Sequence, residues 1–537
     1  MTEAGEAAPT LAPPVPPAPH GAPELPIGRF RWLDEPVRHW AGATPERVAV
    51  GDGRLSLTYG ALDAAIDRVA ERLAELGVQP GDRVTIVLEN SVAGAVTLLA
   101  CARMRAWAVP LNARLSDREV DAIADHCGPR VMVFTDAASH DARHQADRLG
   151  AAGDAVFGPL GARVRALDTS RPEPVSADPA EQVAALIYTS GTTGAPKGVM
   201  LTHDNLVFVA GRSSVTRFLN RDDRVYGVLP MSHVFGLASV LCGTLYQGAR
   251  LDAVARFQAE ECARALAEDG VTIYQGVPQM HARLVALAKV RGAPLPAPKL
   301  RYMSSGGAPL DIGLKIAMEA MWGQPLHNGY GLTETSPTVT TTPTDAPARD
   351  ASSGKLMPDV EVRIADPETG AALDPGAVGE IQVRGRLVMK GYYRDPAQTA
   401  AVMTADGFFR SGDLGRMTEG GELYVVGRLK ELIIRSGFNV YPNEVEDALA
   451  KMDAVLEAAV VAIPDAKTGE AVRAYVVKNP DHEGDLTEDA IRSHCKTLLS
   501  DYKVPKSIVF RDALPKTPIG KILRKDLKAE VLAEFKK

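Results

Sequence analysis

The sequence predicts an α/β protein with a large first domain and a smaller α+β domain behind it, and three observations carry this. From Phe30 to about Gly150, short apolar runs alternate with segments whose apolar residues recur at helical spacing, the pattern of parallel βαβ units. From Gly354 the chain changes to short alternating strands and turns, which marks a small β-subdomain. Residues 431–537 then hold a compact set of amphipathic helices and strands, long enough to build a core of their own. A chain of 537 residues is too long for a single core in any case.

Bulk composition narrows the function. Hydrophobic content of 45% and charged content of 24% are those of an ordinary globular chain. A net charge of −7 argues against nucleic acid as a partner. Cys101, Cys127, Cys242, Cys262 and Cys495 are scattered, odd in number and without metal-ligand spacing, which fits a reduced, cytoplasmic setting. Residues 1–28 contain eight prolines and almost nothing to bury, so a disordered tail is expected there. That tail has Glu3 and Glu6 instead of a basic start and lacks an apolar stretch, so it does not read as a secretory signal. No apolar run of about 18 residues predicts a transmembrane segment.

Taken in order, Leu62–Leu76 has apolar residues at helical spacing and stops at Gly77. Arg83–Leu88 reads as a strand, Ala93–Arg103 as an apolar helix, and Ala106–Leu111 and Val131–Phe134 as further strands. Val183–Tyr188 is a buried strand feeding Tyr188-Thr-Ser-Gly-Thr-Thr-Gly-Ala-Pro-Lys-Gly198. In that loop Gly191 and Gly194 let backbone N–H groups converge, Thr189, Ser190, Thr192 and Thr193 add hydroxyls, and Lys197 adds a mobile positive charge. Such a loop suits a polyphosphate. It is not a Walker A loop, because Gly198 follows the lysine where Ser or Thr is required. A helix starts near His203, with Asp204 or Asn205 as cap candidates.

Further on, Leu229-Pro-Met-Ser-His233-Val-Phe-Gly236-Leu237 sets a histidine among apolar and small residues. Tyr302-Met-Ser-Ser-Gly306-Gly307-Ala308-Pro309 follows a strand and leaves room for a flat ligand at its carboxyl end. Asn328-Gly-Tyr330-Gly331-Leu-Thr333-Glu334-Thr335 is not a dinucleotide fingerprint, since Glu334 stands where its third glycine belongs. Gly379–Gly385 and Met389–Tyr393 read as strands of the β-subdomain, and Gly407-Phe-Phe-Arg-Ser-Gly412-Asp413 follows. Then come Arg428-Leu-Lys430, Ser436-Gly437-Phe438-Asn439, a helix over Val445–Met452, strands over Val455–Ile463 and Ala471–Lys478, and a helix over Ala490–Leu499. The chain closes on Leu514-Pro-Lys516-Thr-Pro-Ile-Gly520-Lys521.

Together these motifs resemble, in order and over nearly all of residues 30–527, the adenylate-forming superfamily, which includes acyl-CoA synthetases. The resemblance implies doubly wound βαβ subdomains over residues 29–429 and a mobile C-terminal domain over residues 430–537, hinged at Lys430. It implies that Thr189, Ser190, Gly191, Thr192, Thr193, Gly194 and Lys197 bind ATP phosphates. Gly307, Ala308, Pro309, Asn328, Gly329 and Tyr330 would hold adenine, with Tyr330 stacked on it, and Asp413 and Arg428 would hold the ribose. Thr333 would touch the α-phosphate, and Glu334 would carry Mg2+, a hard cation suited to carboxylate and phosphate oxygens. His233 would orient the acid in a pocket of Val234, Phe235, Gly236, Gly306, Gly331 and Val339. Lys521 would neutralise carboxylate and phosphate as they react. Ser436, Gly437 and Phe438 would line the path of the CoA thiol.

The implied function is that of an acyl-CoA synthetase using ATP, Mg2+ and CoA. A carboxylic acid becomes an acyl-adenylate with loss of pyrophosphate, and the C-terminal domain then turns about Lys430 for transfer to CoA. Amino-acid-activating relatives place an aspartate beside the substrate ammonium, and Phe235-Gly236-Leu237-Ala238 offers none. The apolar and tiny pocket residues favour a fatty or aryl acid without charge at its far end, no arginine being evident in these segments. The segment around Lys521 also resembles one acetylated in bacterial acyl-CoA synthetases, which adds a protein lysine acetyltransferase and deacetylase as partners. Homodimerisation stays open. The rival readings are an acyl-AMP ligase that loads a carrier protein and a non-catalytic adenylate-binding protein. The first usually has an insertion before the hinge, and none is evident. The second would be expected to lack Lys521 or Glu334, and both are present.

Overall fold

The computed structural model describes residues 23, 25–190, 196–480, 482–516 and 522–535. By internal contacts the chain falls into two units, one running to Glu361 and including Val383–Phe409, the other made of Val362–Gln382 and Arg410–Lys537. The proline-rich start, most of the predicted phosphate loop and the segment of Lys521 lie outside the described residues.

The first unit is built on two sheets with parallel centres. In one, Arg83–Leu88 pairs in parallel with Trp107–Asn112 and with Val131–Phe134, and the neighbouring Val183–Ser190 is parallel to Trp107–Asn112. The strand Arg83–Leu88 is buried at every residue, as expected of a parallel strand covered on both faces. In the other sheet, Leu326–Gly331, Tyr302–Ser305, Ile273–Gly276, Arg224–Gly227, Arg250–Ala253 and Val48–Gly51 run parallel in that spatial order, with antiparallel strands at both edges. Two parallel sheets with crossover helices are the doubly wound α/β architecture that the sequence predicts.

The helices follow from local chemistry. Tyr59–Glu75 buries Leu62, Ile66, Val69 and Leu73 on one stripe, and Thr58 caps it by accepting from Ala61 N at 3.3 Å. Val92–Arg103 lies inside the fold, buried at every residue up to Ala102. The helix His203–Thr216 is capped by Thr202, with Asn205 three residues in closing a capping box. Neither Asp204 nor Asn205 is the cap itself, because the strand Pro196–Thr202 ends and the helix begins at Thr202. Gly391–Tyr392 joins the edge of the seven-stranded sheet beside Pro196–Thr202, not the β-subdomain, so a strand distant in sequence closes the sheet that carries the predicted phosphate loop.

The second unit takes in most of a four-stranded sheet ordered Val360–Ala365, Gly379–Gly385, Phe409–Met417 and Leu423–Arg428, the last two strands antiparallel. It also holds a five-stranded sheet in which Gly469–Lys478 pairs with Val455–Asp465 and, in parallel, with Ser507–Arg511. Pro442–Ala450 and Glu488–Leu498 cover that sheet around Val460, Val472, Leu449 and Ile491. Arg524–Phe535 covers it around Val461, Tyr475, Leu527 and Val531. Each such side chain contributes roughly 1.5–3 kcal/mol by leaving water.

Candidate active site

In the first unit, Val183–Ser190 and Pro196–Thr202 form an antiparallel hairpin, and the connection between them is the predicted phosphate loop. Gly191, Thr192, Thr193 and Gly194 lie outside the described residues. The two ends of the loop are placed: Thr189 pairs with Lys197 and Ser190 with Pro196.

Lys197 Nζ lies 5.4 Å from the centre of the Tyr392 ring. The Tyr392 hydroxyl donates to Glu334 Oε1 at 2.9 Å, and Met389 N donates to the Glu334 carbonyl at 2.8 Å. Burial first, and then the Glu334 charge, push the Tyr392 pKa well above the ordinary tyrosine value, so the phenol stays a proton donor. Lys197 and Glu334, far apart in sequence, are thus brought together through a residue the motifs did not single out. Its sequence signal is only the pair Tyr392-Tyr393 after Gly391. Among the described residues Glu334 Oε2 takes no hydrogen bond, so one carboxylate oxygen is held and the other is available.

Asn328 and Gly331 lie on the strand Leu326–Gly331, and Thr333 and Glu334 begin the short helical turn that follows it. Asn328 Nδ2 donates to the carbonyls of Ala351 and Ser352, each at 3.1 Å. Its amide donors are therefore engaged, and Oδ1 is the atom left to accept. Gly331 has a simple structural cause: a Cβ there would collide with the Pro337 carbonyl of the returning chain. Tyr330 is half-buried and Thr333 is buried.

His233 sits in the turn ahead of the π-helical stretch Phe235–Cys242. Its Nδ1 accepts from Phe235 N at 3.2 Å, which puts the ring proton of the neutral imidazole on Nε2. The Phe235 ring covers Gly306, where a built Cβ would meet Phe235 Cε1 at 3.0 Å. Val234 and Val339 are fully buried. Gly307 adopts φ +79° between Gly306 and Ala308, and Gly307 and Pro309 are exposed. An arginine does reach this neighbourhood from another segment: Arg217 Nη1 donates to the carbonyl of Ser239, one turn beyond Phe235, at 2.8 Å. It caps the end of the helix His203–Thr216, outside the segments that carry the predicted pocket residues.

In the second unit, Asp413 and Arg428 are cross-strand partners, with Arg428 Nε 3.2 Å from Asp413 Oδ1. Asp413 is buried. Lys430 lies in the helical turn Leu429–Glu431, and its carbonyl accepts from Lys528 Nζ at 3.0 Å. Ser436 and Gly437 form a two-residue hairpin turn between Ile433–Arg435 and Phe438–Val440, with φ +52° and +82°. Phe438 is 56% exposed and stacks on Tyr502 with ring centres 4.9 Å apart. Lys521 lies outside the described residues, in a segment whose ends are joined by a bridge between Lys516 and Ile522. Among the described residues no helix is long and apolar enough to cross a membrane, and no group of three or more His, Cys, Asp or Glu could hold a metal.

Residues 37–393 match the family model of the AMP-binding enzymes, and residues 444–521 match that of the AMP-binding enzyme C-terminal domain. A feruloyl-CoA synthase from an Amycolatopsis species is 37% identical over 92% of this chain and 97% of its own length. The long-chain-fatty-acid–CoA ligase FadD13 of Mycobacterium tuberculosis is 33% identical over 90% of this chain and 94% of its own. The crystal structure of ATP-bound MatB from Rhodopseudomonas palustris superposes with a TM-score of 0.79 at 30% identity, covering 92% of this chain and 98% of that one.

Proposed function

The chain belongs to the AMP-binding enzyme family, in its acyl-CoA synthetase branch, and from that premise we infer how an AMP-forming acid–thiol ligase is assembled here. The carrying observation is the row Lys197, Tyr392, Glu334 beside the hairpin loop. It sets a mobile cation over the ring and a braced carboxylate at the hydroxyl of one tyrosine, which suits a magnesium–triphosphate. Mg2+ fits Glu334, whose second oxygen is free to coordinate beside nucleotide phosphates, and when bound it would neutralise their charge. Lys197 binds the outer phosphates and the Thr333 hydroxyl lies at the α-phosphate. Asn328 Oδ1 accepts from the adenine amino group, Tyr330 stacks on the ring, and Gly307, Ala308, Pro309 and Gly329 line its slot. Asp413 accepts from the ribose hydroxyls while Arg428 fixes its carboxylate.

His233, with its proton on Nε2, donates to the acid and orients it beside the α-phosphorus. Phe235, Gly236, Gly306, Gly331 and Val339 bound an apolar pocket, which together with the feruloyl-CoA and fatty-acid relatives supports an aryl or fatty acid. Lys521 holds the carboxylate and α-phosphate during adenylation. The C-terminal domain then turns at Lys430, and the Ser436-Gly437 turn with Phe438 guides the CoA thiol. The unpaired, buried cysteines support a cytoplasmic place of action.

The test is a screen of acids of varied chain and ring content, following pyrophosphate and acyl-CoA together. Acyl-CoA formed in step with pyrophosphate is the expected result. Pyrophosphate release with no acyl-CoA would point to carrier-protein loading instead, and no release with any acid would remove the enzymatic reading.

A further inference from the structure

A side chain that the sequence motifs pass over joins the two sheets of the first unit. Asn90 lies in the connection between the strand Arg83–Leu88 of the seven-stranded sheet and the helix Val92–Arg103, and it is buried. Its Nδ2 donates to the carbonyls of Gly227 and Leu229, each at 2.9 Å. Its Oδ1 accepts from Met231 N at 2.7 Å. These three backbone groups belong to the end of the strand Arg224–Gly227, in the nine-stranded sheet, and to the turn that leaves it for His233. Both N–H donors of the amide are thus spent on one stretch of backbone.

The turn depends on this amide more than the strand does. The Gly227 carbonyl also accepts from Val254 N at 3.0 Å, so it keeps a partner without Asn90. Leu229 and Met231 are buried, and among the described residues Asn90 is the partner of the Leu229 carbonyl and of Met231 N. Buried backbone groups left unpaired are unfavourable, so without Asn90 the turn would have to shift. Gly236 closes the turn from the other side, since a Cβ there would collide with the carbonyls of Leu229 and Pro230. His233 N donates to that Pro230 carbonyl at 2.9 Å, and His233 Nδ1 accepts from Phe235 N at 3.2 Å. His233 therefore stands between two pins, an amide ahead of it and a glycine behind.

We propose that Asn90 is a positioning residue for His233. It fixes the turn over Leu229, Pro230 and Met231, so that the imidazole keeps Nδ1 on Phe235 N and its Nε2 proton for the acid. This rests on the reading of His233 as the residue that orients the acid.

Kinetics of two variants test it, with cinnamate or octanoate, whichever is converted. Asn90→Asp keeps the acceptor for Met231 N and loses both donors, and Asn90→Ala loses all three bonds. Either should raise the KM for the acid about tenfold or more and change the KM for ATP less than about twofold. A double-mutant cycle gives the readout that bracing alone would not move. In His233→Ala protein, Asn90→Ala should change the acid KM by less than about twofold. If Asn90→Ala does not fold, Asn90→Asp is taken through the same cycle. An unchanged acid KM, equal rises in both backgrounds, or an ATP KM that rises as far as the acid KM overturns the proposal. If His233→Ala leaves the acid KM unchanged, or neither acid is converted, the reading of His233 fails instead. The proposal is then judged by the imidazole nitrogen NMR spectrum of histidine-labelled protein, with His233 assigned by its absence in His233→Ala. A His233 Nδ1 signal displaced in the Asn90 variant supports it, and an unchanged one overturns it.

Discussion

The Tyr392 hydroxyl is hydrogen-bonded to Glu334 Oε1 at 2.9 Å, so the Glu334 carboxylate is held by a phenol on a strand of the other sheet. The strand Gly391–Tyr392 is itself fixed, Tyr392 pairing with Val199 and Gly391 with Met200. A change in the hairpin is therefore felt at Glu334 through backbone pairing and one side-chain bond.

Tyr392→Phe removes that bond and little else. A hydrogen bond to a charged group is worth about 1.5–3 kcal/mol, so the Mg2+ concentration for half-maximal pyrophosphate release should rise roughly tenfold or more. A Mg2+ titration at fixed ATP measures this. An unchanged midpoint with lower thermal stability would make Tyr392 a packing residue only.

Asp413→Ala leaves Arg428 without its cross-strand carboxylate and takes away the proposed acceptor for the ribose. The KM for ATP should rise about tenfold to a hundredfold, with a smaller change in the KM for the acid. Deoxy-ATP analogues supply the control, because the variant should discriminate between them and ATP less than the parent does.

Lys521→Ala should lower adenylation by orders of magnitude and leave transfer to CoA from supplied acyl-adenylate largely intact. Acetylation of the same residue removes its charge and should act alike. Treatment with a protein acetyltransferase and acetyl-CoA, followed by mass spectrometry and a pyrophosphate assay, checks both points. An acetylated Lys521 with normal pyrophosphate release would exclude such a switch.

Two roles of Gly437 can be separated. Its φ of +82° lies where asparagine is tolerated and leucine is strained, yet a Cβ there meets nothing within 4 Å. Gly437→Asn should keep the turn and stability while adding bulk. If the thiol passes here, acyl-CoA formation falls and pyrophosphate exchange persists. Gly437→Leu should show the same split plus about 1–2 kcal/mol of lost stability in a denaturant titration.

Acid should weaken the fold through buried histidines. Burial pulls His203 down to about 3, His281 to about 4 and His327 to about 3. Below pH 6.5 the unfolded chain binds protons that the folded chain refuses. Their contribution is therefore complete above that pH and is lost as pH falls towards 3 to 4. At pH 5 the loss is at most about 2 kcal/mol per histidine. Denaturant unfolding at pH 7 and pH 5 measures the sum, and His281→Gln should reduce the difference.

The parallel strands and most helices could be read from the sequence because apolar period and length are local properties. Arg83–Leu88 and Val131–Phe134 have the limits their patterns suggest. The cap of the helix His203–Thr216 lies two or three residues before the Asp204 and Asn205 that the sequence suggests, since Thr202 ends a strand and starts a helix at once. Residues 391–392 were given to the β-subdomain because their partner, Pro196–Thr202, is remote and no local pattern names it. Tyr392 and Arg217 escaped for the same reason. Each acts through a contact whose two halves lie in different segments, and spacing within one segment has nothing to say about that.

The pairing of Gly391 with Met200 also bears on how the protein is made. The hairpin strand emerges from the ribosome long before its outer neighbour exists. At about 5–20 residues per second, its free edge waits on the order of 10–40 s. During that interval the nascent chain presents an unpaired strand to other chains, a situation that favours intermolecular pairing. Heterologous expression at lower temperature, or with more trigger-type chaperone, should therefore improve soluble yield. Fragments ending before residue 391 should aggregate even though they contain every strand of the parallel centres.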